Sequence, residues 1–236
     1  MKNWQEDQLA TLEHCSSDVE VFSALAATAS KLGFDFCAFG MRMPLPISAP
    51  KTVMFGNYPK AWHERYQDNG YVTIDPTVKH GMQSVLPLVW TEEVFGGARE
   101  FWEEAKSFGL HHGWAQSCRD ARGISSMLTL ARSHESLAQN ELEDKGLRML
   151  WLTQIAHASM ARLLGARMNP ASEIELTNRE ITVLRWTAEG KTSGEISNIL
   201  NITERTVNFH INNIVAKLGT SNKTAAAIRA ALVGII

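Results

Sequence analysis

Residues 176–236 read LTNREITVLRWTAEGKTSGEISNILNITERTVNFHINNIVAKLGTSNKTAAAIRAALVGII, and this stretch decides the fold of the C-terminal part of the chain. Its pattern predicts four short helices. Thr177 and Thr192 are each followed three residues later by a glutamate, which is the capping box that begins many helices. We expect Thr203 and Ser221 to cap the third and fourth helices. The second and third helices, joined by a tight turn, fit a helix-turn-helix motif.

The third helix has one apolar face and one unusual polar face. Steps of about 100° per residue place four apolar side chains on one narrow arc, and these are Val207, Ile211, Ile214 and Leu218. The opposite face carries Arg205, Asn208, Phe209, Asn212 and Ala216. Asparagine can pair with adenine, arginine with guanine or phosphate, and an apolar atom with a thymine methyl group. Solubility alone does not explain two asparagines beside an exposed phenylalanine, so this face predicts contact with double-stranded DNA.

The whole segment resembles the LuxR/GerE-type helix-turn-helix. The residues that carry the resemblance are Glu180, Leu184, Trp186, Gly190, Lys191, Glu195, Ile196, Thr206, Val207, His210, Asn213, Lys217, Leu218 and Asn222. The resemblance implies that three side chains of the third helix face the bases, namely Asn208, Phe209 and Asn212. It also implies that Thr192, Thr206 and Lys217 lie near phosphates.

The chain is longer than one such domain needs. It has 236 residues, 44% of them hydrophobic, so a second domain with its own core is expected. Three scattered cysteines indicate a reducing compartment and neither a disulfide framework nor a zinc site. No apolar run is long enough to cross a membrane, and the N-terminus lacks the pattern of a signal peptide. We therefore expect a cytoplasmic protein without a membrane partner.

The charge is modest for a protein that binds DNA. Residues 171–236 carry seven Lys and Arg against six Asp and Glu, a net charge of +1, whereas residues 1–170 have a net charge of −3. Affinity for DNA grows with the number of phosphates that are neutralised, so one such domain is expected to bind weakly. Two copies on one duplex would bind usefully, and the composition therefore favours a homodimer.

The first 164 residues alternate helical and extended patterns. Helices are predicted at 18–31, 58–66, 75–82, 98–108 and 139–164, and strands at 34–43, 52–55, 87–90, 113–118 and 123–132. About five strands flanked by helices predict an α/β/α sandwich around an antiparallel sheet. The predicted fold class is therefore α+β, with this domain at 1–164, a linker at 165–175, and an all-α four-helix domain at 176–236.

Aromatic residues are concentrated in one segment of the N-terminal part. Tyr58, Trp62 and Tyr66 are spaced four residues apart and share one helix face. Asp75 follows at a helix start and Trp90 at a strand end. Such a wall with a few polar tips suits an amphiphilic small molecule. Spacing alone favours a plain aromatic core, and Asp75 alone fits a helix cap.

The sequence YPKAWHERYQDNGYVTIDPTVKHG, followed by PLVW, resembles the autoinducer-binding domain of LuxR-type quorum-sensing receptors. The residues that carry this resemblance are Trp62, Tyr66, Asp75, Pro76, Trp90 and Gly113. It implies a receptor for an N-acyl-homoserine lactone that, as a homodimer, controls promoter DNA. RNA polymerase is an implied partner, and no cofactor, metal or catalytic residue is expected.

The chemistry of such a lactone matches the side chains group by group. The indole N–H of Trp62 can only donate, which suits the lactone carbonyl, whereas the Asp75 carboxylate can only accept, which suits the amide N–H. The phenol of Tyr58 can donate to the amide carbonyl, with help from Thr129. The remaining expected contacts are two apolar walls, Tyr66 and Trp90, and a secondary contact, Thr77. The first strand offers Ala38 or Cys37 to the pocket, and His63 follows the pocket tryptophan. These residues do not decide the length or the C3 substitution of the acyl chain.

The sequence bears on three alternative functions. An orphan receptor of the same family would take another small amphiphile. A phosphorylation-controlled response regulator needs paired acidic residues after its first strand, but the segment 34–40 has only Asp35. An enzyme acting on the lactone needs a motif such as G-x-S-x-G or H-x-H-x-D, and the sequence contains neither. Neighbouring His111 and His112 point to opposite faces of a strand and cannot chelate one metal ion together.

Overall fold

The central sheet of the N-terminal part has five strands in the order β2-β1-β5-β4-β3, and every neighbouring pair is antiparallel. This computed structural model describes residues 2–168 and 175–236. The strands are β1 Phe36–Arg42, β2 Thr52–Gly56, β3 Leu88–Val89, β4 His112–Arg119 and β5 Ser125–Arg132. The predicted antiparallel sheet and α+β class are thereby confirmed.

Six α-helices lie within the described residues 2–168. They are α1 Lys2–Glu13, α2 Asp18–Lys31, α3 Lys60–Asp68, α4 Pro76–Gln83, α5 Arg99–Ser107 and α6 Gln139–Met168, with short 3-10 helices at Tyr71–Thr73 and Gly96–Ala98. The sequence did not predict α1, which is mostly polar and has one fully buried leucine, Leu12. The end predicted for α6, residue 164, is wrong by four residues. The first part of the predicted linker is therefore helical, and 169–174 lie outside the described residues.

The two faces of the sheet are occupied differently. Cys37, Phe39 and Met41 of β1 are at most 1% exposed, and α2 packs against this strand. The sheet also bonds to α6 on this face, where Oγ of Ser126 lies 2.7 Å from Nδ1 of His157. On the other face, α3, α4 and α5 enclose a cavity with the sheet. Because successive residues of a strand point to opposite faces, one strand serves both a solid core and a cavity.

All regular secondary structure that is described in the C-terminal part is α-helical. Its helices are α7 Asn178–Ala188, α8 Ser193–Leu200, α9 Glu204–Leu218 and α10 Lys223–Leu232. Both predicted capping boxes are present, and the side chain of Thr203 caps α9. The predicted cap of α10, Ser221, is wrong: the residue directly before the helix is Asn222, whose Oδ1 accepts a hydrogen bond from the N–H of Ala225 at 2.9 Å.

Contacts along the chain separate two units between Leu164 and Gly165. The first comprises 1–42, 52–119 and 125–164, and the second adds the segments Met43–Lys51 and Asp120–Ile124 to the C-terminal residues. The core of the helical domain is built from residues of α7 to α10, and the four predicted core positions of α9 are buried.

Candidate functional site

A cavity of about 990 Å³ lies between the sheet and helices α3, α4 and α5. Its size is at the upper end of the range for small-molecule sites. Six of the seven predicted ligand contacts converge on it from α3, α4, β5 and the chain before them, and the seventh, Trp90, follows β3. All seven line the cavity, namely Tyr58, Trp62, Tyr66, Asp75, Thr77, Trp90 and Thr129. The structure therefore brings together residues that are up to 71 positions apart in the chain.

Asp75 is the polar centre of the cavity wall. Its backbone is extended and its Oδ1 accepts hydrogen bonds from the N–H of Thr77 at 2.8 Å and from Thr77 Oγ1 at 2.7 Å, so it caps α4. Its Oδ2 accepts a bond from the Tyr66 hydroxyl at 3.0 Å. Burial raises the pKa of Asp75, and the bonds from Thr77, from Tyr66 and from the backbone N–H of Val78 oppose that shift. The carboxylate therefore accepts bonds from its own domain and also lines the cavity, where a ligand donor is a further partner for it.

Two residues with hydrogen-bond donors line the cavity together with Asp75. They are Trp62, with its indole N–H, and Tyr58, with its hydroxyl. Burial raises the pKa of Tyr58, so its phenol stays protonated at neutral pH. One acceptor and two donors on the cavity wall can pair with one N–H and two carbonyl groups of a ligand.

The aromatic residues form a packed wall around these polar groups. The ring of Trp62 lies 5.5 to 6.0 Å from those of Tyr66, Tyr71, Phe101 and Phe108. Tyr66 was predicted to supply only an apolar surface, but its hydroxyl also holds Asp75 because a buried carboxylate requires donors. The same aromatic cluster is therefore both a packed core and a wall of the cavity.

Trp90 owes its position to a glycine. A Cβ placed on Gly113 would overlap the indole ring of Trp90, so only glycine lets the indole lie against β4. The backbone supports this contact, since the N–H of Trp90 donates to the carbonyl of Gly113 at 2.8 Å. Trp90 and Gly113 both carry the family resemblance, and the structure shows that they pack against each other.

The alternation of side chains along β1 decides which of its residues face the cavity. Ala38 lines the cavity, whereas Cys37 is buried on the opposite face. His63 also lines the cavity, but its Nε2 is buried near Gly56 with no hydrogen-bond partner in the described part of the chain. Sequence reasoning missed Phe101 of α5 as a wall residue, although the apolar face of that helix, with Phe101, Trp102 and Ala105 buried, was a signal.

The candidate nucleic-acid interface is the outward face of α9. Arg205, Asn208, Asn212 and Ala216 are exposed, and Phe209 is 60% exposed. The hydroxyl of Ser193 at the start of α8 donates to Oδ1 of Asn208 at 2.7 Å, which fixes the orientation of that amide. The turn between the two helices uses Asn201 in the left-handed region, with φ at 49°.

The predicted phosphate contacts lie at three helix ends. Thr192 and Thr206 sit at the N-terminal ends of α8 and α9, where unpaired backbone N–H groups favour anions. Lys217 pairs through Nζ with Oε2 of Glu180 at 2.7 Å. Burial alone would raise the pKa of Glu180, but this ion pair and the bonds from Thr177 lower it. The ion pair gives Lys217 a role inside the domain, and its phosphate contact stays a prediction.

Comparison with known proteins agrees with this geometry. Residues 17–160 match the model of the autoinducer binding domain, and residues 175–230 match that of the bacterial regulatory proteins of the luxR family. The transcriptional activator protein AnoR of Acinetobacter nosocomialis is 50% identical over 238 residues, which is 100% of both chains.

Two solved structures extend the comparison to the fold. The regulator SdiA of Escherichia coli in complex with octanoyl-rac-glycerol superposes with a TM-score of 0.81 at 33% identity, over 99% of this chain and 95% of that one. An N-acylhomoserine lactone-dependent LuxR family transcription factor of Burkholderia cenocepacia gives a TM-score of 0.62 at 33% identity, over 67% of this chain and 94% of that one.

The helix-turn-helix and these matches define a transcriptional regulator in which a domain of the autoinducer-binding family precedes a helix-turn-helix domain of the luxR family. The chain belongs to the LuxR family of quorum-sensing transcriptional regulators. Matched relatives are named as a transcriptional activator, an HTH-type quorum-sensing regulator and a regulatory protein, and none of these three names is that of an enzyme. The autoinducer-binding domain also occupies the place where a response regulator would have its receiver domain. None of the helices in the described residues is long and apolar enough to span a membrane.

Proposed function

We propose that the cavity binds an N-acyl-homoserine lactone and that the chain, as a homodimer, then controls transcription from promoter DNA in quorum sensing. The observation that carries this proposal is the buried Asp75 carboxylate in a cavity that Trp62 and Tyr58 also line. In the proposed complex Asp75 accepts the amide N–H, Trp62 donates to the lactone carbonyl, and Tyr58 donates to the amide carbonyl.

Ligand binding is proposed to act through the stability of the sensing domain. A lactone enclosed by the sheet and α3 to α5 becomes part of the core of that domain. At a concentration about a hundredfold above its dissociation constant it would add about 2.7 kcal/mol to the free energy of unfolding. The extra stability raises the concentration of folded protein that is available to dimerise.

Dimerisation is supported by charge and by exposed apolar residues. The low net charge of residues 171–236, +1, disfavours tight DNA binding by a single domain. Helix α6 exposes Leu147 and Leu150, which are 60% and 39% exposed, on the N-terminal unit. We propose that a dimer formed by this unit places two α9 helices on a twofold promoter site, where RNA polymerase is the further partner.

A second ligand class has one specific observation in its favour. The SdiA structure holds octanoyl-rac-glycerol, whose hydroxyl groups offer donors in place of an amide N–H. A small acyl amphiphile of this kind would use the same Asp75 and the same apolar walls. The orphan-receptor alternative therefore differs in its ligand and not in the site.

The test is to express the full chain with a panel of lactones and with an acylglycerol, and to identify the copurified molecule by mass spectrometry. Recovery of a lactone from the wild type, and a loss of recovery from an Asp75→Asn variant, is the expected result. Recovery of the acylglycerol alone would favour the second ligand class. Recovery of a hydrolysed lactone after incubation with the purified protein would contradict a role as a receptor and favour an enzyme.

A further inference from the structure

The first residue of α8 is bonded to the outward face of α9. Ser193 opens α8 directly after its cap, Thr192. Its hydroxyl donates to Oδ1 of Asn208, which is the fifth residue of α9. In a helix-turn-helix the N-terminal residues of the second helix contact the edges of the bases. The bond therefore joins a residue outside the second helix to a side chain on the proposed DNA-reading face.

A second contact places the start of α8 along the same side of α9. A Cβ placed on Gly194 would lie 3.9 Å from Oε2 of Glu204, which is an ordinary van der Waals contact. Glu204 and Asn208 are four residues apart and lie one above the other on α9. Two consecutive residues of α8, Ser193 and Gly194, thus approach two positions of α9 that are one turn apart. The packing of the two helices therefore brings the hydroxyl of Ser193 to Asn208.

The bond decides which end of the Asn208 amide faces outward. A carboxamide carries its acceptor oxygen and its two N–H donors on opposite branches of one planar group. Because Oδ1 is turned toward Ser193 of α8, Nδ2 is turned away from that helix. Asn208 is exposed, so its N–H donors are the groups that it presents to the groove.

A donor in a fixed orientation distinguishes guanine from adenine. In the major groove guanine offers two acceptors, N7 and O6, whereas adenine offers the acceptor N7 and the donor N6–H. A freely turning asparagine pairs with adenine through both of its ends, since its oxygen accepts from N6–H and its nitrogen donates to N7. When α8 holds the oxygen of Asn208, half of that pairing is lost and pairing of the N–H donors with guanine remains.

We propose that Ser193 is a positioning residue for DNA recognition, which holds the amide of Asn208 so that this side chain selects guanine over adenine. The inference rests on the proposed function, in which α9 enters the major groove of promoter DNA. Ser193 acts through Asn208 and needs no contact of its own with DNA. Loss of one neutral hydrogen bond corresponds to about a 2-fold to 12-fold change, and the preference for guanine is expected to relax by that factor.

The experiment selects binding sites for the full chain, purified from cells grown with the lactone panel, from a random pool of duplex DNA. Asn208→Ala identifies the base pair that Asn208 reads, because the preference at that position disappears. The wild type is expected to prefer guanine there. Ser193→Val should relax that preference by about 2-fold to 12-fold and leave the other positions unchanged. Ser193→Thr has the same shape as the valine variant but keeps a hydroxyl, so it should retain the preference.

The matched control is Ser197→Ala, because the hydroxyl of Ser197 bonds within α8, to the carbonyl of Gly194 at 2.7 Å. This variant should leave every preference unchanged. The double variant of Ser193→Val with Asn208→Ala should match Asn208→Ala alone, since the two side chains act as one unit. The dependence of affinity on salt should be the same for the wild type and Ser193→Val, because no phosphate contact is removed. If melting shows that Ser193→Val is unfolded, Ser193→Ala replaces it, since alanine favours a helix more than serine does.

Three results would overturn the role of Ser193 and leave the proposed function intact. They are a wild-type preference for adenine at the position of Asn208, an unchanged preference when the hydroxyl of Ser193 is removed, and an equal loss of affinity at every position. The last result would show that Ser193 supports only the fold of the domain. Absence of any preferred sequence for the wild type would overturn the proposed function and this inference with it.

Discussion

The most direct perturbation of the cavity is Asp75→Asn, because it replaces one oxygen with a nitrogen of similar size. The Oδ1 that caps α4 is retained, with its bonds from the N–H and hydroxyl of Thr77. The new Nδ2 takes the place of the Oδ2 that accepts from Tyr66, and the phenol can accept in return. We expect the free energy of unfolding without ligand to change by less than about 1 kcal/mol.

The effect on ligand binding is expected to be much larger. A hydrogen bond to a charged group contributes about 1.5–3 kcal/mol, and the variant also sets an N–H donor against the amide N–H of the lactone. The expected loss of affinity is about 10-fold to 150-fold. Calorimetric titration of the purified chain measures it, with Asp35→Asn as the control, since Asp35 is an exposed carboxylate that does not line the cavity.

The same carboxylate predicts a dependence on pH. Because burial raises the pKa of Asp75 in the folded protein, its protonation begins at a pH above the ordinary value of 3.8. Lactone affinity should fall as the pH decreases through that raised pKa, since the protonated group loses its charge as an acceptor. The Asn variant should show no such fall. Wild-type affinity in Asp75→Asn, or an equal dependence on pH in both proteins, would refute the assignment of Asp75 to the ligand amide.

Three further predictions concern the fold and the DNA-binding face. The ion pair with Arg132 lowers the pKa of Glu141 to about 2, so its contribution to stability is present above about pH 4.5 and is lost as the pH falls toward 2. Glu141→Gln should therefore cost about 2–3 kcal/mol in urea denaturation at neutral pH and almost nothing at pH 2, and an equal cost at both would contradict this. Lys217→Met leaves the buried Glu180 unpaired and should cost about 1–3 kcal/mol, and adding Glu180→Gln should restore most of it unless the pair is unimportant. Asn212→Ala should weaken promoter binding by about 1–3 kcal/mol in a mobility shift while lactone binding is unchanged, and normal promoter binding would remove Asn212 from the reading face.

Local features of the fold were predictable from the sequence. The capping boxes at Thr177 and Thr192 were correct because both partners lie within one turn of helix. The buried face of α9 followed from helical periodicity alone. The cap at Ser221 failed because two neighbouring polar residues, Ser221 and Asn222, are equally suitable by type, and only the backbone decides which one precedes the helix.

Features that depend on the register between distant segments were not predictable. Gly40 and Met127 are adjacent because β1 and β5 pair in one particular register, and the sequence of one strand alone does not show which strand will lie beside it. The bond between Tyr66 and Asp75 depends on how the chain turns after α3. The resemblance identified the residues of the cavity, but their hydrogen bonds, and the side chains that have none, required the three-dimensional structure.

The caps of the C-terminal helices have a consequence for how such proteins can be recombined. Each of α7 to α10 begins with a side chain from its own segment, and the buried core from Val183 to Ala230 is drawn from the same helices. A gene fusion that keeps this segment whole would retain all four caps and the core residues between them. In chimera design the crossover point belongs before Thr177, because a junction after it would remove the first capping box.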